Sequence, residues 1–204
     1  MITSEIDICN LALDYCAVRN ILSFEEKTKE SKICNRWYDL VRRSLLTNLN
    51  ASFSIARARL VEVADFIPVF GYKKAYKLPH DLLQVLNVGE PLNDTLYQIE
   101  QNKYLYCDEH IKEVNIRYIA DVKEVIKFDD DFVDLLALKL AEKICMPLTE
   151  DAEKTNWIKG LAQQKYIECS TKYGNDNRII VVNRPRYRMA KVNAEIERAN
   201  YRLR

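Results

Sequence analysis

The chain contains very little glycine, with Gly71, Gly89, Gly160 and Gly174 as its four glycines in 204 residues. Glycine-rich loops cradle phosphates because glycine lets the backbone approach the ligand closely, and the common loops need several glycines within a few residues. The four glycines of this chain are too far apart to form such a loop. The sequence therefore excludes the usual nucleotide-binding signatures.

Histidine, the side chain most often used for acid–base catalysis, is also scarce, and the only histidines are His80 and His110. None of the six cysteines forms a Cys-x-x-Cys pair of the kind that binds metals. We therefore expect no metal, no cofactor and no catalytic residue, and we predict that the protein is not an enzyme. The cysteines are expected to be small buried hydrophobes. A small hydrolase with a site around His80 or His110 is an alternative.

Long apolar runs are missing as well. No run approaches the roughly 20 residues that a helix needs to cross a membrane. The first residues, MITSEIDICN, include acidic side chains and no basic region, which is not typical of a secretory signal. We therefore expect synthesis in the cytoplasm and no contact with a membrane.

The charge is balanced overall but uneven along the chain. Residues 178–204 contain eight Lys or Arg and two Glu, a net charge of +6, so the other residues carry −5 of the total of +1. Such asymmetry predicts that residues 175–204 form a basic C-terminal docking segment for an acidic partner or surface. Within it, Ile179–Val182 is a β-branched run. It could pair with the protein's own sheet or add a strand to a partner.

Apolar residues recur at helical spacing in the first and last parts of the chain. The pattern predicts helices over about residues 3–19, 25–48 and 53–63, and two more between Asp129 and Tyr173 that are separated at Pro147. The inward residues of the second helix are expected to be Ile33, Trp37, Leu40, Val41, Leu45 and Leu46, and those of the helix after Asp129 are expected to be Phe132, Leu135, Leu136, Leu140 and Ile144. Thr149 is expected to cap the last helix. Ser23 and Glu26 fit a capping box for the second helix. Gly174 fits the end of the last one.

The middle of the chain has a different period. Val114, Ile116 and Tyr118 alternate with Asn115 and Arg117, which is typical of a half-buried strand. The predicted fold class is α+β: a helix bundle from residues 1–70 and 123–174, interrupted by a central β-strand subdomain at 71–122 and followed by the extended basic C-terminal tail.

Two charged features allow a functional interpretation. The run Asp129–Asp131 fits the start of a helix, where carboxylates meet the positive end of the helix dipole. A metal site is the alternative there. The basic tail, with Tyr187 and Tyr201, allows a second alternative, a nucleic-acid-binding protein that uses the tail.

Five segments, in order, resemble the tail tubular protein A family of short-tailed bacteriophages, which are head-to-tail adaptors below the portal. The segments are NLALDYC (10–16), CNRWYDLVRRSLL (34–46), YKLPHDLLQVLNV (76–88), IRYIADV (116–122) and FDDDFVDLLALKLAEKICMPLTED (128–151). The chain departs from the family at Leu49–Asn50, where a Pro-Trp pair is common. The tail beyond Gly174 matches no part of the family pattern.

The resemblance implies a structural protein of the virion neck, assembled in the host cytoplasm. It implies a homo-oligomeric ring of twelve copies that joins the portal protein to a tail nozzle or other tail protein. Double-stranded DNA would pass through the channel without sequence-specific binding. The residues expected to bind the portal or a neighbouring subunit are Ile179, Ile180, Val181, Val182, Arg184, Arg186, Arg188, Arg198 and Arg202.

Overall fold

The computed structural model describes residues 4–63, 71–89, 97–107 and 114–176. These ranges form a mixed structure of helices and an antiparallel sheet. The helices are α1 (Glu5–Cys16), α2 (Lys29–Leu49), α3 (Asp130–Thr149) and α4 (Ala152–Asp176). The strands are β1 (Ile55–Glu62), β2 (Lys74–Lys77), β3 (Leu82–Val88), β4 (Tyr97–Glu100), β5 (Tyr104–Cys107) and β6 (Val114–Ala120).

Helix α3 is the centre of the helical part, and α1, α2 and α4 pack against it. Its predicted inward residues, Phe132, Leu135, Leu136, Leu140 and Ile144, are all fully buried, so that prediction is confirmed. Burying one such side chain contributes about 1.5–3 kcal/mol, so this helix supplies a large share of the core. The rings of Phe53 and Phe128 pack around Phe132, which ties the start of α3 to the segment before β1.

The sheet has the strand order β3-β6-β1-β2-β5-β4. Strand β6 shows the predicted alternation, with Val114, Ile116 and Tyr118 buried and Asn115 exposed. These buried residues form a second core with side chains of β1, β2 and β5. Ile119 points to the opposite face and joins the helical core, so the sheet and the helices share β6.

The helix predicted over residues 53–63 is wrong. Residues Ile55–Glu62 form strand β1, which pairs with β6 from Ile55↔Ile119 to Leu60↔Val114 and with β2 through Val61 and Glu62. The sheet therefore starts before residue 71, inside the segment that was expected to be helical. Ala, Arg and Leu favour helices locally, but two neighbouring strands decide the backbone here.

The second helix starts later than predicted. The Glu26 carboxylate accepts hydrogen bonds from the Leu22 and Ser23 N–H groups, so the expected capping box organises the loop rather than the helix. Thr28 caps α2 instead, accepting from the Ser31 N–H at 3.2 Å. The α1–α2 loop is also held by Asn10, whose side chain bonds the Ile21 N–H at 2.8 Å and its carbonyl at 2.9 Å.

The predicted ends of the last two helices need small corrections. Pro147 lies inside the last turn of α3, which continues to Thr149 and ends where Glu150 takes a left-handed φ of 57°. Proline has no N–H to donate to the carbonyl four residues back, so α3 loses one hydrogen bond at this point and ends two residues later. Asp151, rather than Thr149, caps α4 through the Lys154 N–H at 2.9 Å. Gly174 is helical, since α4 runs on to Asp176.

All six cysteines are buried free thiols, as predicted. In the ranges that the structure covers, no helix combines the length and the apolar character needed to cross a membrane.

Candidate functional site

The nine residues predicted to bind a partner, from Ile179 to Arg202, lie outside the part of the chain that the structure describes. His110 does too. Four features of the described residues could take part in function: the junction between helices and sheet, the start of α3, one arginine-rich face of the sheet and a groove between helices.

Arg42 holds the junction between the helices and the sheet. Its side chain is fully buried, and its guanidinium donates to Asp39 at 2.8 Å, to Asp121 at 2.7 Å and to the Val122 carbonyl at 2.6 Å. Burial opposes the charge, but the hydrogen bonds to Asp39 and Asp121 outweigh it and raise the pKa of Arg42. The cation therefore stays charged and links α2 to the end of β6.

Asp81 completes the same junction from the start of β3. The Asp121 N–H donates to the Asp81 carbonyl at 2.6 Å, and the Tyr118 hydroxyl donates to the Asp81 carboxylate at 3.3 Å. Burial and, after it, the Asp81 charge raise the pKa of the Tyr118 hydroxyl. Three separate segments thus meet at one place: α2, the turn before β3 and the end of β6.

A cavity of about 620 Å³ opens beside this junction and contains His80 at its rim. His80 is exposed, and the carboxylates of Asp81, Asp121 and Glu124 already have the partners Tyr118, Arg42 and Lys127. Ser54 also lines the cavity, but its hydroxyl is buried and donates to the Ala51 carbonyl at 2.7 Å. Among the described residues that line this cavity, Ser54 is the one with a hydroxyl, and its partner is a backbone carbonyl rather than a general base.

The acidic run at the start of α3 is used for capping and ion pairing. Asp129 accepts from the Phe132 N–H at 2.8 Å and from the Tyr173 hydroxyl at 2.8 Å. Asp131 pairs with Lys172 at 2.7 Å and with Lys165 at 2.9 Å. The hydrogen bonds of Lys172 and Lys165 lower the pKa of Asp131.

These contacts explain the acidic run without a metal. Across the described ranges, no group of three or more His, Cys, Asp or Glu side chains could hold a metal ion. The network also fastens the end of α4 to the start of α3, because Tyr173 and Lys172 lie on α4 and their partners precede or begin α3.

A basic surface that the sequence patterns did not predict lies on β1 and β6. Arg57 and Arg59 of β1 and Arg117 of β6 line a shallow cavity of about 530 Å³, together with Asn87 and Asn115. We call these five residues the arginine face. Arg57 lies directly opposite Arg117, and Arg59 lies opposite Asn115. The signal was available in the sequence, because Arg57 and Arg59 alternate with Ala56 and Ala58 at the period of a strand.

A groove between α2, α3 and α4 has an apolar floor and a volume of about 390 Å³. Leu40 was predicted to face inward, but it is 58% exposed at this groove, so that prediction is wrong. Trp157 and Ile167 of α4 are also more than half exposed. The helices therefore keep apolar side chains on their outer surface.

Comparison with known proteins leaves the chain without a family assignment. No protein-family model matches it, and no curated protein shows significant similarity to its sequence.

Proposed function

We propose that the protein is a bacteriophage head-to-tail adaptor, a structural component of the virion neck without enzymatic activity. In this proposal twelve copies form a ring that joins the portal protein to a tail nozzle or other tail protein, and double-stranded DNA passes through the ring without being read.

The five segments that resemble the adaptor family support this proposal by their positions in the fold. The second segment supplies Asp39 and Arg42, the third supplies Asp81, and the fourth supplies Tyr118 and Asp121. All five residues meet at the helix–sheet junction. The segments that resemble the family therefore include the side chains whose contacts join the helices to the sheet. Proteins that share a fold need such contacts in common.

The remaining two segments have structural roles as well. Asn10, in the first, holds the α1–α2 loop, and Asp129, in the fifth, caps α3 and anchors α4. Exposed apolar side chains at Leu40, Trp157 and Ile167 suit a protein that buries more surface on assembly. A head-to-tail ring uses two different faces of each copy, and the exposed apolar side chains of α2 and α4 would lie on one of them.

The test is the oligomeric state of the full chain with and without its portal protein, measured by mass photometry and electron microscopy. We expect twelvefold rings on the portal. A chain that stays monomeric and ignores the portal would refute the proposal.

The docking role of residues 175–204 has its own test. Since α4 ends at Asp176, a chain cut after that residue keeps every helix and strand that the structure describes. We expect it to fold with an unchanged melting temperature and to bind the portal weakly. Unchanged portal binding would show that the basic tail, with Ile179–Val182 and its arginines, is not part of the interface.

The alternative function, nucleic-acid binding through the tail, rests on the +6 charge of residues 178–204. It predicts tight DNA binding by the monomer at physiological salt, which the same truncation abolishes. A gel shift over a range of salt concentrations separates this outcome from the adaptor proposal.

A further inference from the structure

The arginine face places like charges where a sheet ordinarily avoids them. Arg57 and Arg117 are directly opposed residues of β1 and β6, so their side chains start only about 4.5–5.5 Å apart. Like charges in this arrangement weaken strand pairing. A folded chain that keeps them accepts a cost in stability, and such costs are common where a surface serves binding.

The arginine face is a shallow cavity that is partly open to solvent rather than enclosed. It spans three neighbouring strands, β3, β6 and β1, and Asn87 pairs with Arg117 in the register of β3 and β6. Along β1, Arg57 and Arg59 are two residues apart, which corresponds to about 6.6–6.8 Å in a strand. An extended chain of negative groups fits this row better than a single small anion does.

We propose that the arginine face binds the phosphate backbone of double-stranded DNA, independently of base sequence. Arginine suits phosphate because its planar group donates two parallel hydrogen bonds, and asparagine amides add further donors. Arg59 and Arg117 also interact within the chain. A guanidinium has five N–H donors, so it can hold a neighbour in the chain and a phosphate together.

The binding is weak and salt-dependent, because it depends on few charges and the release of counterions. DNA binding by the arginine face does not depend on formation of the ring. A single copy carries the whole face, so DNA contact can be measured whether or not rings form. Failure of one proposal leaves the other testable.

The experiment measures binding of a fluorescent DNA duplex to the full chain by anisotropy, between about 50 and 200 mM salt. The test variant is R57Q/R59Q/R117Q. The matched control is K32Q/R36Q/K159Q, which removes the same charge from residues exposed on α2 and α4. Circular dichroism melts establish that both variants fold.

We expect the test variant to bind more weakly than the control. Its plot of log affinity against log salt concentration should be shallower than that of the wild type by about 0.9 for each phosphate that the variant no longer neutralises, approaching 2.7 for three arginines. Equal affinities and equal slopes in the two variants would overturn the proposal. If the triple variant does not fold, R57Q and R36Q provide the same comparison with one charge each.

A competition experiment separates DNA from an acidic protein surface. Polyglutamate is added at the same concentration of negative charge as a competing unlabelled duplex. We expect the duplex to displace the labelled DNA and polyglutamate to displace much less. Equal displacement, together with loss of polyglutamate binding in R57Q, would show that the face binds acidic polypeptide instead.

Discussion

Replacing Arg42 with methionine tests whether the helix–sheet junction depends on this buried cation. Methionine keeps an apolar stem of similar length, so the packing changes little while the hydrogen-bond donors are removed. The Asp121 side chain is 19% exposed and the Asp39 side chain 67%, so water can replace the guanidinium least well at Asp121 and at the Val122 carbonyl.

The expected cost follows from that burial. Removing one partner of a buried ion pair costs about 3–5 kcal/mol. Asp121 keeps some access to water and lies 3.9 Å from Arg43, so we expect the lower end of that range. For a chain of this size each kcal/mol lowers the melting temperature by about 2–4 °C, which gives a fall of roughly 6–12 °C.

The assay is thermal and urea denaturation of Arg42→Met, with two comparison variants. Asp39→Asn should cost no more than about 1 kcal/mol, because that carboxylate is largely solvated. The double variant R42M/D121N should be more stable than R42M alone, since no buried carboxylate is left without its cation. An Arg42→Met melting temperature within about 2 °C of the wild type, or an equal cost for Asp39→Asn, would refute the reasoning.

Three further outcomes are expected. Asn10→Ala removes both side-chain hydrogen bonds to the backbone of the α1–α2 loop and should lower the free energy of unfolding by about 1–3 kcal/mol in urea denaturation. A negligible change would show that these hydrogen bonds do not stabilise the fold. The hydrogen bond from Lys172 lowers the pKa of Asp131 below its ordinary value, so the ion pair stabilises the fold above about pH 4 and this contribution is lost as the pH falls through the lowered pKa. The difference in melting temperature between the wild type and Asp131→Asn should therefore vanish in acid. A difference that stays constant with pH would contradict the pairing. Arg57→Thr removes a charge opposed to Arg117 and should stabilise the sheet by roughly 0.2–1 kcal/mol, while a loss of stability would show that the arginine pair does not strain it.

The helical parts of the fold were predictable because their patterns are long. The inward residues of α3 were identified correctly, since a buried helix of this length repeats its apolar spacing several times. The alternation around Val114 and Ile116 was equally informative for β6. Both patterns arise because one side of the helix or strand is buried, and the spacing of apolar residues shows which side that is.

Strand β1 was missed because its local and long-range preferences disagree. Ala56, Ala58 and Leu60 favour helix locally, whereas the alternation with Arg57 and Arg59 favours a strand. Pairing with β6 and β2 decides between them, and β6 lies far away in the sequence. The arginine face was missed for the same reason, since it exists only when residues 55–62 are extended.

The junction was hidden for a different reason. Asp39, Arg42 and Asp121 are ordinary charged residues in sequence, and nothing in their spacing shows that one guanidinium will be buried between two carboxylates. That requires knowing which helix end meets which strand end. The predicted docking residues of the tail stay predictions, because they lie outside the described part of the chain.

The contact between Tyr173 and Asp129 also determines how the molecule would carry a mechanical load. Any pull on the chain beyond Asp176 is received first by the last turn of α4, where Tyr173 is fully buried and bonded to the cap of α3. Because the Tyr173 hydroxyl bonds Asp129 and its ring contacts Phe53, a pull that reaches this turn also loads the start of α3 and the Phe53–Phe128–Phe132 cluster. Tension applied at the C-terminal side is thus delivered to the centre of the fold, next to the sheet.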